Sequence, residues 1–466
     1  MIQPQIVWLR QDLRLSDQPA FTAAAAAGPV IPIYILDDDT PAHRRMGAAS
    51  RWWLHRSLSA LARDLEQRGS RLLLRRGRAD RILAELASET GASAIHALRH
   101  VEPWWRNAER ALKAALPEHC PLVRYDGQYL ARPGTVLTGG GTPFKIYTPF
   151  WRALAETMPP PEPQPVPFSL APPDQWPVSD ELDDWELLPT RPDWAGGMRA
   201  MWKPGEAGAK ARLNDFLGRA SRYNELRNFP SDTGTSFLSP HLHFGEVSPA
   251  QCWHATMACG GSVETFLKEL VWRDYGANLI QQYPDYGSRN AREAFDHFPW
   301  RDHDDPAVAG DLKAWQQGRT GYPIVDAGMR ELWATGWMHN RVRMIAASFL
   351  IKHLLIDWRV GEQWFWDTLV DADYGSNATN WQWTAGSGVD SNMFVRIMAP
   401  LSQSEKFDAG NYIRRWVPEL ADVSDPYVHD PYEHGVLPKG YPRKIVGHRE
   451  ARQRALAAHG VMKAQS

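Results

Sequence analysis

Nineteen residues, Pro159 to Pro177, hold nine of the chain's 36 prolines, and no other stretch constrains the fold as strongly. Proline fixes φ and removes a backbone donor, so this run is predicted to be an extended linker without regular structure. It continues as an acidic, polar stretch to about Trp194 and separates two halves of different periodicity. On the N-terminal side, short apolar runs at 6–9, 30–36, 72–75, 94–98 and 122–125 alternate with helical spacing at 51–68 and 80–90. That alternation predicts a parallel sheet with crossover helices, a Rossmann-like α/β domain over 1–133. No Gly-x-Gly-x-x-Gly follows the first run, so the usual dinucleotide fingerprint is absent. On the C-terminal side the spacing is helical at 205–218, 263–281, 325–335, 340–355 and 362–369. This predicts an all-α domain over 204–466, with 134–203 as the connection.

Composition narrows the function classes. A formal net charge of −2 means that nucleic-acid binding must come from a local basic patch. Three cysteines cannot supply the four thiolates of an iron–sulfur cluster, a zinc site is unsupported, and the low odd count fits a reducing cytoplasm. The N-terminus has no signal-peptide apolar core, and the most apolar stretch, 344–356, is interrupted by Lys352 and His353 and is too short to span a membrane. A cytoplasmic protein is therefore expected. Of the 22 tryptophans, ten lie between Trp272 and Trp383. Indole stacks on flat heterocycles, so this region is predicted to bind something planar and phosphorylated.

Four segments carry candidate chemistry. Gly234-Thr235-Ser236-Phe237-Leu238-Ser239-Pro240 reads as a turn opening a helix, either a plain cap or a diphosphate cradle. In the next segment Glu269, Trp272 and Arg273 share one helical face, either as a surface ion pair beside a core indole or as a base-binding group. Around 337–344, Asn340, Arg341 and Met344 fall on one face and Arg343 points elsewhere, while His339 reads as a hydrogen-bonded core histidine and not as a base. The run from Asp371 to Trp383 mixes acids, amides and indoles with poor helix propensity. In an extended chain Trp381 and Trp383 point to opposite sides. Arg396, Gln403 and Lys406 read as a basic rim for a nucleic-acid backbone or as a solvated face.

With these motifs in order, the chain resembles the DNA photolyase/cryptochrome flavoprotein family over nearly its whole length. The stretches that carry the resemblance are VWLRQDLRLSDQPA (7–20), TPFWRA (148–153), GTSFLSP (234–240), ELVWRDY (269–275), GRTGYPIVDAGMRELWATGWMHNRVRM (318–344), LIDWRVGE (355–362), NWQW (380–383) and SEKF (404–407). The resemblance implies an antenna domain, a linker and a helical domain that buries FAD. It implies that Tyr223, Thr235, Ser236, Phe237, Leu238 and Ser239 hold the diphosphate and ribityl region. Arg343, Asp371, Ala372 and Asp373 would flank the flavin and adenine, and Asn377 would sit at flavin N5.

Glu269, Trp272, Asn340, Met344 and Trp383 resemble the pocket of members that repair cyclobutane pyrimidine dimers, with Arg273, Arg341, Gln403 and Lys406 on UV-damaged DNA. Trp381, Trp358 and Trp300 resemble an electron relay from the surface. Members that repair (6-4) photoproducts carry a histidine pair where this chain has only His339, and plant-type signalling members carry an acid where Asn377 stands. A (6-4) photolyase and a blue-light photoreceptor are the alternatives, and a flavin-free nucleotide-binding protein is a third. For the antenna the resemblance implies methenyltetrahydrofolate in an altered pose, or 8-hydroxy-5-deazaflavin. His43 is the one candidate residue, because Glu102-Pro103-Trp104-Trp105-Arg106 replaces a familiar folate pocket. A monomer is expected.

Overall fold

The computed structural model describes residues 2–302, 304–391 and 394–465. Five strands, β1 (Gln5–Leu9), β2 (Val30–Leu36), β3 (Leu73–Arg76), β4 (Ala94–Leu98) and β5 (Leu122–Tyr125), form a parallel sheet in the order β3-β2-β1-β4-β5. Strand β1 pairs with both β2 (Gln5↔Val30) and β4 (Gln5↔Ala94). Every residue of β1 and β2 is buried, which is why they read as unbroken apolar runs: helices cover both faces of a parallel sheet. The crossover helices are α1 (Pro19–Ala27), α2 (Ala48–Glu66), α3 (Ala79–Thr90) and α4 (Pro103–Ala115).

The strand order reverses at β1, and the chain leaving its C-terminal end meets the helical half. There Leu13 N–H donates to the Phe244 carbonyl (3.0 Å), and Arg14 donates to the carbonyls of Asp17, Gly127 and Gly245. One apolar cluster runs from Ile6 and Trp8 of the sheet to Phe216, Leu267 and Leu279 of the helical half, so the two halves share a core.

The proline-rich connection is extended, as its composition predicts. It wraps the α/β half through Asp17 N–H to Gln164 O (2.8 Å), Val30 N–H to Ala171 O (2.8 Å) and Asp180 N–H to Leu74 O (2.8 Å). Its longest regular piece up to Trp194 is a four-residue 3-10 turn, Leu182–Trp185.

Beyond it, among the described residues, the chain is helical. Three helices frame the site: Glu264–Gln282, Asn340–Ser348 and Tyr374–Ala385. The first and third approach closely where two glycines face each other. A Cβ on Gly276 would lie 3.2 Å from the Gly375 carbonyl carbon, so a side chain there would push the two walls of the site apart.

Two expectations need correction. The helix expected over 340–355 is α-helical only over Asn340–Ser348 and then widens into a π-turn, Phe349–His353. The extra residue per turn aims Lys352 Nζ at the Arg396 carbonyl (3.0 Å) and His353 Nε2 at His448 Nδ1 (2.8 Å) of the C-terminal His448–Gln465 helix. The run ending in Trp383 is the Tyr374–Ala385 helix and not an extended loop. Asp373 starts it: its carboxylate accepts from Ser376 N–H (2.6 Å), and this cap outweighs the poor propensity of the residues that follow. Trp381 and Trp383 still point to different sides, because two residues on a helix are about 200° apart. No helix among the described residues is long and apolar enough to cross a membrane.

Candidate functional site

Two cavities open between the three framing helices. The inner one, about 290 Å³, is lined by Tyr223, Thr235, Ser236, Phe237, Ser239, Arg343, Asp371, Asp373, Asn377 and Trp381. The outer one, about 420 Å³, is lined by Tyr147, Arg227, Tyr275, Trp383 and Asp390. Glu269, Trp272, Asn340, Met344, Ser376, Asn380 and Thr384 line both, so the two adjoin.

Two buried side chains of the inner wall, Asp371 and Asn377, are held by fixed partners. Arg343 grips Asp371 with both terminal nitrogens (3.1 and 2.8 Å) and donates from Nε to the Met338 carbonyl (2.7 Å). This planar fork leaves a fixed cationic face in the cavity. His339 caps the helix that carries Asn340, Arg343 and Met344: its Nδ1 accepts from Arg341 N–H (3.2 Å). Nε2 therefore carries the proton in the neutral ring, and burial with the nearby charges of Arg341 and Arg343 pushes the pKa down to about 4.

The Asn377 amide is oriented by its bonds. Nδ2 donates to both the main-chain carbonyl (3.0 Å) and the Oε1 carboxylate oxygen (2.9 Å) of Glu362. Both partners are pure acceptors, so the nitrogen must face them and Oδ1 is turned to the cavity. On the loop side, the Thr235 hydroxyl is buried with no hydrogen-bond partner among the described residues. Such an atom in a cavity wall suits a polar ligand. Phe237 sits at φ 54 with its ring 4.6 Å from that of Trp337. Hydroxyls, a fixed guanidinium and an outward amide oxygen beside aromatic rings are a donor set that fits a phosphorylated flavin such as FAD.

The outer mouth is more open. Trp272 is 39% exposed, and Tyr147 lies flat against it, with ring centroids 3.5 Å apart and planes 2° apart. Tyr147 is itself fixed, with its hydroxyl donating to Lys268 O (2.9 Å) and its N–H to Asp390 Oδ2 (3.0 Å). Glu269 is paired with Arg227, whose guanidinium also lies over the Tyr223 ring. Arg341 donates from Nε to Asn228 Oδ1 (2.6 Å). Burial and the like charges of Arg227 and Arg396 lower its pKa, which marks a cationic cluster at the rim. Lys406 and Arg341 both reach over Phe407, each 5.4 Å from its ring, and Gln403 lies on the same short helix, Pro400–Lys406.

Several sequence candidates lie elsewhere. Leu238 is fully buried core and lines neither cavity, and Ala372 faces a cleft beside Trp104 and Trp105 on the α/β side. Arg273 lines the inner cavity and not the rim, and donates to the carbonyls of Gln128 (3.4 Å) and Leu242 (3.1 Å) as a brace between the halves. Arg343 lines the cavity together with Asn340 and Met344 instead of pointing away. In the 3-10 turn Ala42–Arg44, His43 is exposed and Arg44 is the buried residue that lines the α/β cleft.

Trp381 is buried against Phe365 (5.0 Å) and Trp315 (6.4 Å). Trp358 starts the Trp358–Thr368 helix that carries Phe365, with its indole N–H on Asn290 (2.8 Å). Trp300 packs on Phe298 (4.2 Å) and is partly exposed.

Tyr147, Arg227, Asp390, Glu362 and Arg44 were not among the sequence candidates. Glu362 ends the LIDWRVGE stretch, yet nothing local distinguishes it from a surface acid.

The comparisons with known proteins agree with this architecture. Residues 5–167 match the family described as DNA photolyase, and residues 266–460 match the FAD binding domain of DNA photolyase. A deoxyribodipyrimidine photo-lyase of Agrobacterium fabrum is 50% identical over 99% of this chain and 98% of its own length. Cryptochrome-1 of Arabidopsis thaliana is 36% identical over 96% of this chain and 69% of its own length. The crystal structure of a bacterial class III photolyase from Agrobacterium tumefaciens superposes with a TM-score of 0.94 at 48% identity, covering 100% of this chain and 98% of that one.

Proposed function

Because the chain belongs to the DNA photolyase family, we propose that it is a deoxyribodipyrimidine photo-lyase, repairing cyclobutane pyrimidine dimers in UV-damaged DNA with FAD and light. The observation that carries the reading is that the two cavities adjoin: Asn340, Met344 and Glu269 belong to the wall of both. A dimer flipped into the outer cavity lies against whatever the inner one holds. Flipping is easier for a dimer than for normal bases, since its stacking and pairing are already damaged.

FAD, when bound, supplies the light-driven electron that opens the cyclobutane ring and recovers it afterwards. Tyr223, Thr235, Ser236, Phe237 and Ser239 would hold its phosphate and ribityl region, and Arg343, Asp371, Asp373 and Asn377 its ring systems. The remaining chemistry is positioning. Trp272, held by its stack on Tyr147, and Trp383 present flat apolar surfaces to the dimer. Glu269 accepts a hydrogen bond from a pyrimidine N–H, and Arg227 beside it compensates the carboxylate charge. Asn340 reads the amide-like edge of the pyrimidine, and Met344 fills the remaining contour. Arg341, Gln403, Lys406 and Arg396 face the DNA backbone.

Trp381, Trp358 and Trp300 relay electrons from the surface. Trp381→Phe is expected to block photoreduction of oxidised protein and to spare repair by protein reduced beforehand. Unchanged photoreduction would refute the path.

For the antenna we propose methenyltetrahydrofolate, with 8-hydroxy-5-deazaflavin as the alternative; absorption and fluorescence spectra of the chromophores released on denaturation decide between them. The repair reading is tested by illuminating reduced protein with dimer-containing DNA in blue light. Loss of dimers is expected. Their persistence would leave the photoreceptor reading, and loss of (6-4) lesions alone would point to the other repair class.

A further inference from the structure

Asn377 is held by a residue that is itself held from the other half of the molecule. The carboxylate that receives its amide nitrogen, Glu362, is completely buried. Arg44 enters from the α/β half and places Nη1 2.7 Å from both Glu362 oxygens, while its Nη2 donates to the Gly287 carbonyl. The guanidinium is walled by the rings of Tyr374 (5.3 Å) and Trp366 (5.8 Å).

The chain around Arg44 is fastened to the Trp358–Thr368 helix and the residue that follows it. Trp366 Nε1–H donates to Arg45 O (2.7 Å), Ala48 N–H to Asp367 Oδ1 (2.9 Å) and Ser50 Oγ to Leu369 O (3.0 Å). A Cβ on Gly47 would fall 2.2 Å from the Trp366 carbonyl, so only glycine allows this approach. Burial raises the Glu362 pKa, and Arg44 is the main influence pulling it back. A buried carboxylate without its cation takes up a proton or moves. Once protonated it can donate to the Asn377 oxygen, and only the Glu362 main-chain carbonyl (3.0 Å) then holds the amide nitrogen away from the cavity.

We infer that Arg44 and Glu362 are positioning residues for Asn377: the α/β half keeps Glu362 a pure acceptor, and Glu362 thereby keeps the Asn377 carbonyl oxygen toward the flavin. The inference rests on the reading that the inner cavity holds FAD. Its consequence is that the docking of the α/β half tunes the flavin's reduction equilibrium from across the domain boundary.

The test uses the full-length flavin-loaded chain with Glu362→Gln, Arg44→Ala and the charge-keeping Arg44→Lys. The midpoint potential of the flavin is measured together with the infrared band of the Asn377 side-chain carbonyl. Glu362→Gln and Arg44→Ala are expected to shift the oxidised-to-reduced ratio at least tenfold, about 30 mV for a two-electron couple, and to move the amide band. Arg44→Lys is expected to restore most of the wild-type potential. In an Asn377→Ala background Arg44→Ala should have no further effect. An unchanged potential, even with a lowered melting temperature, would overturn the inference, as would the same shift in the Asn377→Ala background. Where Arg44→Ala does not fold, Glu362→Gln, which preserves volume, decides the matter by the same two measurements. A wild-type protein that binds no flavin would instead overturn the reading of the cavity.

Discussion

The inner and outer walls of the cavity are made of similar residues held in opposite ways. On and just behind the inner wall the carboxylates are buried and matched: Asp371, 4% exposed, with Arg343, and Glu362 with Arg44 and Asn377. At the outer mouth Trp272 is 39% exposed and the Glu269 carboxylate, paired with Arg227, is 32% exposed. Where water is excluded, each polar group must be paired and the arrangement is preorganised. Where water enters, pairs are weaker and more easily exchanged for a partner such as DNA phosphate. The inner wall is built to keep one resident ligand in one pose, and the mouth to exchange partners.

The largest effect that would break this contrast is on the inner wall. Arg343→Ala leaves the Asp371 carboxylate, 4% exposed, without its cation, which costs about 3–5 kcal/mol. The expected outcome is loss of retained flavin and a lower melting temperature. Flavin content equal to wild type, read by absorbance, would show that the wall does not depend on its pairing.

A slightly smaller effect comes from His339, the cap of the helix shared by both walls. The folded pKa is about 4 against the ordinary 6.5, so below pH 6.5 the unfolded chain takes a proton that the fold refuses. Stability therefore falls by about 1.4 kcal/mol per unit as the pH drops from 6.5 toward 4. His339→Asn retains a capping acceptor and removes the titration. Its denaturation curves between pH 7 and 5 should be less pH-dependent than those of wild type, and equal slopes would refute the assignment.

At the mouth, Trp272→Ala should weaken binding of dimer-containing DNA by about 1–3 kcal/mol, the scale of one base–aromatic stack, with flavin content unchanged. A variant that also loses flavin would erase the distinction between the two regions. The smallest effect belongs to the rim. Arg341→Gln should weaken damaged and undamaged DNA nearly equally, by about 1 kcal/mol, and flatten the salt dependence of binding by about one unit of slope. A selective loss for damaged DNA would move Arg341 from the rim to the lesion.

Much of this was legible in the chain. The ranges 30–36, 94–98 and 122–125 are strands at those positions: the first two are buried throughout, and the third, at the sheet edge, is only partly buried. Of the residues proposed for the cavity, Tyr223, Thr235, Ser236, Asn340, Arg343, Asp371 and Asn377 do line it. The errors have local causes. Arg273 lines the inner cavity beside Glu269 and Trp272, on the face that spacing assigns it, but its guanidinium is engaged by the carbonyls of Gln128 and Leu242. The helix from Tyr374 was hidden by residues of low propensity, which the Asp373 cap and packing against the Glu264–Gln282 helix override.

By itself, then, the sequence determined what period and composition encode: the alternation of strand and helix, the proline break, the helical half, and the residue types that recur at the cavity. The tertiary structure alone decided the partners. Arg44 and Glu362 stand 318 positions apart, and Tyr147 reaches Trp272 from the connection that precedes the helical half. Helical and strand periods act over a few residues and leave local traces, whereas a buried ion pair forms only when two distant surfaces exclude water together.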